Sequence, residues 1–485
     1  MPIHDTEHLE LRRSDDSVKM MQLTITHLAK CHHGREVPKN EDSIFWLQNG
    51  RDTLNNRLRM ISKEDNLKAK NIILCLGGGM GLTTITAARI YKGQVAGQSG
   101  EEASLVFDNF PYSGLAKVYN TDTQVPDAGS GVTAIYTGTK TKQWALSMDN
   151  TCNLQNSKAG SLSTFMEWAQ EAGKRTGFVT NTRISNPPLA GLFSKICNSR
   201  WECDSSIPQS FRGVYNDSSL QFLENGRKFN VVLAGGLSSM GAYDSEEQLS
   251  KILPDPNPPF CLFRNGHMSY SIDRQAEEPS LTEMTQKAIE ILNVPDSKGF
   301  VLLIENGHID HAHHMNLAEV ALNEVLEFDR AIQLALKMTN ESETLVIVTS
   351  DHSQPMTIIG DPKRGNDILG YTDESKTYET LTYSNGPELG LLPTGASQST
   401  GNKIFRSHRS LYITNISTHS GEDVPVFAKG PGSALLGGVY EQSFIGHVIS
   451  YAGSMGPNKE AAILSGVDVL KGVWYILAMC FVFTI

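Results

Sequence analysis

The densest concentration of chemically useful side chains lies at residues 305–314, which read Glu-Asn-Gly-His-Ile-Asp-His-Ala-His-His. Carboxylate and imidazole together are the donor set of zinc and related divalent ions. Asp310 and His314 stand four residues apart. On a helix they therefore share one face and can grip one ion. A purely structural loop has no need of His308, His311, His313 and His314 in so short a stretch. Asp351-His352 adds a second carboxylate and imidazole pair, and His419, inside Thr-His-Ser-Gly-Glu-Asp, adds another imidazole. Taken alone, His419 reads as a surface histidine, and its case rests on the company it keeps.

These groups need elements to bring them together. Three apolar runs of strand length end beside them: 71–76 (NIILCL) before a glycine loop, 300–304 (FVLLI) before Glu305, and 345–349 (LVIVT) before Ser350-Asp351-His352. Apolarity that is continuous rather than alternating predicts strands buried on both faces, as in a parallel sheet covered by helices. Ligands bind such sheets beyond the carboxyl ends of the strands, where these polar residues stand. Leu317, Ala321, Val325, Phe328, Ile332 and Ala335 keep helical spacing up to a stop at Thr339-Asn340, so a helix links the second run to the third. Residues 281–292 form a second amphipathic candidate. Pro254, Pro256, Pro258 and Pro259 mark a loop, and 383–403, rich in Gly, Ser and Thr, reads as a loop or small subdomain. The predicted class is α/β: a large, mostly parallel central sheet with helices on both faces and a small inserted surface subdomain.

Composition narrows the function. With 42 basic against 53 acidic residues in 485, the net charge is -11 and no basic stripe is visible, which argues against nucleic-acid binding. Seven cysteines without a CxxC pair are poor material for a thiolate zinc site or a disulfide scaffold. Residues 1–40 are polar and show no secretory signal, whereas 473–485 (VWYILAMCFVFTI) are apolar. That apolar stretch is short for a membrane span and reads either as a lipid-anchor signal or as a core-packing terminal helix.

IENGHIDHAHH at 304–314, VTSDHS at 348–353, THSGEDVPVFAKGP at 418–431 and NIILCLGGGMGLTTITAARI at 71–90 resemble the metal-site motifs of the alkaline phosphatase family. The resemblance runs in the same order from about Phe45 to Tyr451 and is closest to the animal, membrane-anchored type. It implies phosphate monoester hydrolysis through a serine-phosphate intermediate, with two zinc ions clamping the in-line displacement and a magnesium ion beside them. It implies Asp310, His314 and His419 on the first zinc, Asp351 and His352 on the second, and Glu305 on magnesium. It also divides the chain into a 1–40 extension, a 41–455 phosphatase-like domain carrying a crown-like insert at about 354–418, and a 456–485 tail.

Several positions depart from the family pattern. Ala128 replaces the nucleophilic serine in Val125-Pro126-Asp127-Ala128-Gly129. Ser130, two helical residues further on, is rotated by roughly 200°. Gly78 replaces the aspartate that bridges the second zinc and magnesium, and Pro188 stands where magnesium should receive a hydroxyl. Ser199 holds the place of the phosphate-binding arginine, and Arg200, one residue on, is the candidate to bend back toward phosphate. Arg264 occupies an acidic position of the animal enzymes' calcium site, so calcium is not expected. Cys152 matches a family half-cystine whose partner position holds Asn216, so Cys152 is expected to be a buried free thiol.

The resulting expectation is an alkaline phosphatase homologue with one zinc centre, doubtful second zinc and magnesium sites, and weak or absent hydrolysis. The alternatives are an active phosphatase with compensating ligands, or a non-enzymatic protein that binds phosphate or a partner. The resemblance further implies a homodimer anchored by lipid to the outer face of the plasma membrane. The polar amino-terminal end supports an intracellular soluble protein instead.

Overall fold

The computed structural model describes residues 41–60, 67–157, 159–240, 260–372, 378–387 and 405–460. Its strands are β1 (Asn71–Gly77), β2 (Tyr112–Lys117), β3 (Arg175–Arg183), β4 (Val231–Gly235), β5 (Phe260–Leu262), β6 (Phe300–Asn306), β7 (Thr344–Thr349), β8 (Met356–Ile358), β9 (Leu381–Gly386), β10 (Ser410–Ile413), β11 (Val424–Lys429) and β12 (Gly438–Glu441). The main sheet runs β12-β2-β11-β7-β1-β6-β3-β4-β5. Only β11 is antiparallel to its neighbours, β2 and β7. The central register pairs Leu76 with Glu305 and with Thr349, so the chemically rich ends of β1, β6 and β7 lie side by side.

Unbroken apolarity in the central strands has the predicted cause. Ile72, Leu74, Leu76, Val301, Leu303, Leu345 and Ile347 enter one core, while Ile73, Cys75, Leu302, Ile304, Val346 and Val348 enter the other. Alternate side chains of a strand leave opposite faces, and here both faces are covered. The helices are α1 (Ser43–Met60), α2 (Leu82–Val95), α3 (Ala128–Thr137), α4 (Phe165–Glu171), α5 (Pro187–Ala190), α6 (Ser218–Asn225), α7 (Leu281–Leu292), α8 (His308–His314), α9 (Ala318–Met338) and α10 (Phe444–Ala452). Helices α1, α3, α4 and α10 contribute Leu54, Ile135, Phe165 and Ile449 to the first core. Helices α2, α7 and α9 contribute Ile85, Ala288 and Phe328 to the second.

Helix boundaries follow from local chemistry. Ser280 caps α7 by accepting the Glu283 N–H, and Glu283 returns the bond to the Ser280 N–H. The long helix α9 stops with Thr339 in extended conformation, as the sequence anticipated. Strands β8, β9 and β10 form a separate small sheet within the 354–418 stretch. Tyr383, expected in a loop, is a buried residue of β9. The remainder of the predicted loop at 388–403, the proline cluster at 254–259 and the apolar stretch 473–485 lie outside the described residues.

One expectation is overturned. Cys152 is not a free thiol but is joined to Cys197, with a Cα–Cα distance of 5.8 Å. An antiparallel bridge between Leu146 and Ile196 draws the two segments together, and the separation falls in the range a disulfide spans. Asn216, the position expected to hold the partner, instead donates its side-chain amide to Glu224 at 3.2 Å.

Candidate functional site

The site is built at the carboxyl edge of the main sheet. Glu305 ends β6, Asp351 and His352 follow β7, Gly78 follows β1, and α8 begins two residues after Asn306. His419 precedes β11, and because β11 runs against β7 its start lies at this same edge. Gly78, Glu305, Asp310, His311, His314, Asp351 and His419, with Ala128, Trp144, Arg183, Pro188, Ser199 and Arg200, border an open cavity of about 570 Å³, and His352 is not among its lining residues.

Within one turn of α8, His314 Nε2 lies 3.2 Å from Asp310 Oδ2. His419 Nε2 lies 3.3 Å from His314 Nε2 and 3.8 Å from Asp310 Oδ1. Both imidazoles are anchored from behind, since His314 Nδ1 donates to the Ser417 carbonyl at 2.6 Å and His419 Nδ1 to the Pro126 carbonyl at 3.0 Å. That leaves Nε2 of each ring turned to Asp310, with the His314 Nε2 proton facing the carboxylate, and carbonyls behind Nδ1 are the second-sphere arrangement that orients metal-binding histidines. Gln354, which the sequence reading did not single out, donates its amide to Asp310 Oδ1.

Electrostatics in the metal-free chain reflect this crowding. Burial disfavours charge on both Asp310 and His314, yet each stabilises the other, so Asp310 is held well below the carboxylate range and His314 rises to about 9. Burial, and then the neighbouring His352, push His419 down to about 4. Burial and the charge on Asp310 raise Asp351 to about 7. Burial alone would carry Glu305 high, and despite its threonine partners it sits at about 8.

Asp351 and His352 are buried, with His352 Nε2 3.4 Å from Asp351 Oδ2. Asp351 Oδ1 accepts the N–H of Gly79 at 3.1 Å and of His352 at 3.0 Å, whereas Oδ2 has no hydrogen-bond partner. The His352 ring stacks on His419, centroids 3.5 Å apart and planes at 14°. Gly78 offers only backbone: its N–H donates to the Asn306 carbonyl. Glu305 Oε2 accepts the hydroxyls of Thr180 and Thr182, Oε1 is unpartnered, and Pro188 faces the cavity beside it without a donor. The donors at Asp310, His314 and His419 thus suit a divalent ion, while Gly78 and Pro188 add no side-chain donor near Asp351 and Glu305.

The positions to which the sequence resemblance assigned catalytic roles are equally defined. Asp127 caps α3, accepting the N–H groups of Gly129 and Ser130. Ala128 lines the cavity with a methyl group. The Ser130 hydroxyl is buried and donates to Asp127 Oδ1 at 2.7 Å. Ser199 is also buried, its hydroxyl 3.5 Å from Asp127 Oδ2. Arg200 is exposed and stacks over Trp144, its guanidinium carbon 3.7 Å from the ring centroid. Trp144 adopts φ +69°, held by its own N–H on Asp127 and by the Ser199 N–H on its carbonyl.

His267, another residue without a signal in the sequence, meets His308 and His311 with ligand atoms all within 4.8 Å of one another. Arg183, bidentate with Glu202 at 2.6 and 2.5 Å, also presses its guanidinium onto His267. A fixed cation therefore stands where another ion would have to enter.

Comparison with known proteins agrees with this architecture. The family model for alkaline phosphatase matches residues 69–251 and 243–455. Alkaline phosphatase 4 of Drosophila melanogaster is 41% identical over 494 aligned positions, covering 87% of this chain and 83% of that protein. The tissue-nonspecific alkaline phosphatase isozyme of Gallus gallus is 34% identical, with 91% and 95% covered. Among solved structures, alkaline phosphatase from the Antarctic bacterium TAB5 is similar with a TM-score of 0.58 at 22% identity, over 81% of this chain and all of that one. The Thermus thermophilus enzyme gives 0.59 at 20% identity, over 90% and 100%. At such identities the structures speak for the fold, and the sequence relatives carry the assignment. The chain belongs to the alkaline phosphatase family.

Proposed function

We propose that this chain is a phosphate monoester hydrolase by descent whose turnover is weak or absent, with Asp310, His314 and His419 holding zinc. The observation that carries the reading is Ala128: a methyl group caps the cavity at the first position of α3, and the nearest hydroxyls, of Ser130 and Ser199, are buried and turned to Asp127. Covalent catalysis needs an activated nucleophile on the reacting phosphorus, and no serine of this constellation presents one.

A bound zinc ion supplies a Lewis acid and lowers the pKa of coordinated water. This chain's own groups do the remaining work. The backbone carbonyls of Ser417 and Pro126 fix the histidine tautomers. Arg200 reaches the cavity from its stack on Trp144 and attracts an anion at the mouth, without the bidentate grip of an arginine at position 199. The positions of the second zinc and of magnesium lack donors where Gly78 and Pro188 stand, so no step is assigned to those ions.

The same reading extends to a homodimer displayed on the outer face of the plasma membrane by a lipid anchor. It is supported by family membership and by the Cys152–Cys197 disulfide, which suits an oxidising compartment. Hydrolysis of an aryl phosphate at alkaline pH with zinc and magnesium tests the catalytic claim. The parent should be inactive or nearly so, and the Gly78→Asp, Ala128→Ser double variant should recover turnover, further so with Pro188→Ser and Ser199→Arg added. Robust parent turnover that survives Asp310→Ala would refute it.

A further inference from the structure

We propose that Asp310, His314, His352 and His419 close around one divalent ion, a single four-ligand centre in place of two. The proposal rests on the reading above that this cavity holds metal, and it changes which residues hold it. Ligand atoms of Asp310, His352 and His419 all lie within 4.8 Å of one another. His314 lies outside that group of three, but its Nε2 stands 3.2 Å from Asp310 and 3.3 Å from His419. Around a tetrahedral zinc with bonds of about 2.0–2.1 Å, neighbouring ligand atoms stand roughly 3.3 Å apart. The contacts already at 3.2 and 3.3 Å have that spacing. His419 Nε2 and Asp310 Oδ1, at 3.8 Å, need to close by about half an ångström, and His352 has to move toward His314, with the stacked rings of His352 and His419 splaying.

Tautomers agree with this assignment. His352 Nδ1 donates to the Ser353 carbonyl at 3.2 Å, as His314 and His419 donate to theirs. In each of the three rings Nε2 is therefore the nitrogen left for an ion, which on His314 displaces the proton that faces Asp310. His352 is completely buried, and its Nε2 has no hydrogen-bond partner, so an ion would satisfy a polar atom that is otherwise orphaned. Asp351 Oδ2, 3.4 Å from His352 Nε2 and likewise without a hydrogen-bond partner, is the competing draw on this ring, and one carboxylate is too few donors for a second ion. The carboxylate that would build another centre around it is absent at Gly78, and one oxygen of Asp351 is engaged by two backbone N–H groups.

The consequence is chemical. Zinc sites with four protein ligands are closed and structural, whereas catalytic ones keep a position for water or substrate. A centre completed by His352 has no place for a phosphate oxygen, so the fold would retain a metal and lose the reaction.

The test uses the full chain, stripped with chelator and titrated with cobalt(II), whose visible absorption reports coordination. One ion per chain is expected, with a tetrahedral spectrum that added inorganic phosphate leaves unchanged. His352→Ala and His352→Gln should each weaken binding by at least the roughly 10–100-fold that loss of an outer-sphere partner costs. They should also open a position, so that phosphate now shifts the spectrum. Circular dichroism establishes that these variants are folded. Gly78→Asp leaves His352 in place and should raise the stoichiometry to two. Two ions in the parent, or one ion whose affinity His352 variants do not change, would overturn the four-ligand centre alone. No binding, or binding unaltered by Asp310→Asn, would overturn the metal reading as well.

Discussion

Gly78→Asp tests the account of the site through stability, independently of turnover. A Cβ at position 78 would stand 3.3 Å from the Asp310 Cβ, 3.4 Å from the Gly307 Cα and 3.7 Å from the Asn306 carbonyl oxygen. These contacts are close but tolerable, so charge decides the outcome. The new carboxylate joins Asp310, Asp351 and Glu305. Asp310 is already countered by His314, and near neutral pH Glu305 and Asp351 hold protons part of the time, being raised to about 8 and about 7. One uncompensated like charge at about 5 Å and an effective dielectric near 20 costs roughly 3 kcal/mol. In chelator the variant should therefore unfold a few degrees below the parent. Metal reverses the order: an ion at about 1,000 times its Kd adds about 4 kcal/mol of stability, and only the variant has the carboxylate for a further one. Scanning calorimetry with chelator and then with zinc reads both effects. Equal midpoints in chelator together with equal zinc increments would show that position 78 does not face a metal-binding space, and the argument from its replacement would fail.

Other regions are open to the same treatment. Cys152 and Cys197 are 45 residues apart, and loop-closure entropy for that length predicts that Cys152→Ser costs about 4 kcal/mol by denaturant unfolding. A loss under about 1 kcal/mol would mean that the bond contributes little to the fold. Glu324 is buried, and burial lifts it to about 7 despite bonds from Ser271 and Asn306. Its folded pKa lies above the unfolded value near 4.5, so the folded state binds the extra proton, and stability declines as pH rises from about 4.5 through 7. At about 1.4 kcal/mol per pKa unit the decline is roughly 3 kcal/mol. Glu324→Gln should flatten that limb of the unfolding profile, whatever its offset, and an unchanged slope would assign the dependence to other groups.

Much of this architecture could be read in advance. The runs beginning at 71, 300 and 345 became β1, β6 and β7 because a strand packed on both faces must be apolar at successive positions. The spacing of Leu317, Ala321, Val325, Phe328, Ile332 and Ala335 became α9, and 281–292 became α7, because helical period and end signals are written locally. Asp310 and His314 were recognisable as a pair for the same reason: four residues is one turn.

Relations between distant segments were not legible in this way. Cys197 as the partner of Cys152 depends on the bridge from Leu146 to Ile196, and motif comparison pointed to position 216 instead. His267 reaches His308 across 41 positions, and no period links them. The stacking of His352 on His419 requires β11 to return antiparallel to β7, which places the start of one strand at the end of the other. Residue types and short spacings therefore determined that carboxylate and imidazole donors gather beyond the ends of parallel strands, and the motif resemblance marked Ala128, Gly78 and Pro188 as departures from the family pattern there. Only the tertiary structure decided which donors share one space, because that depends on strand order and direction in the sheet rather than on any local period.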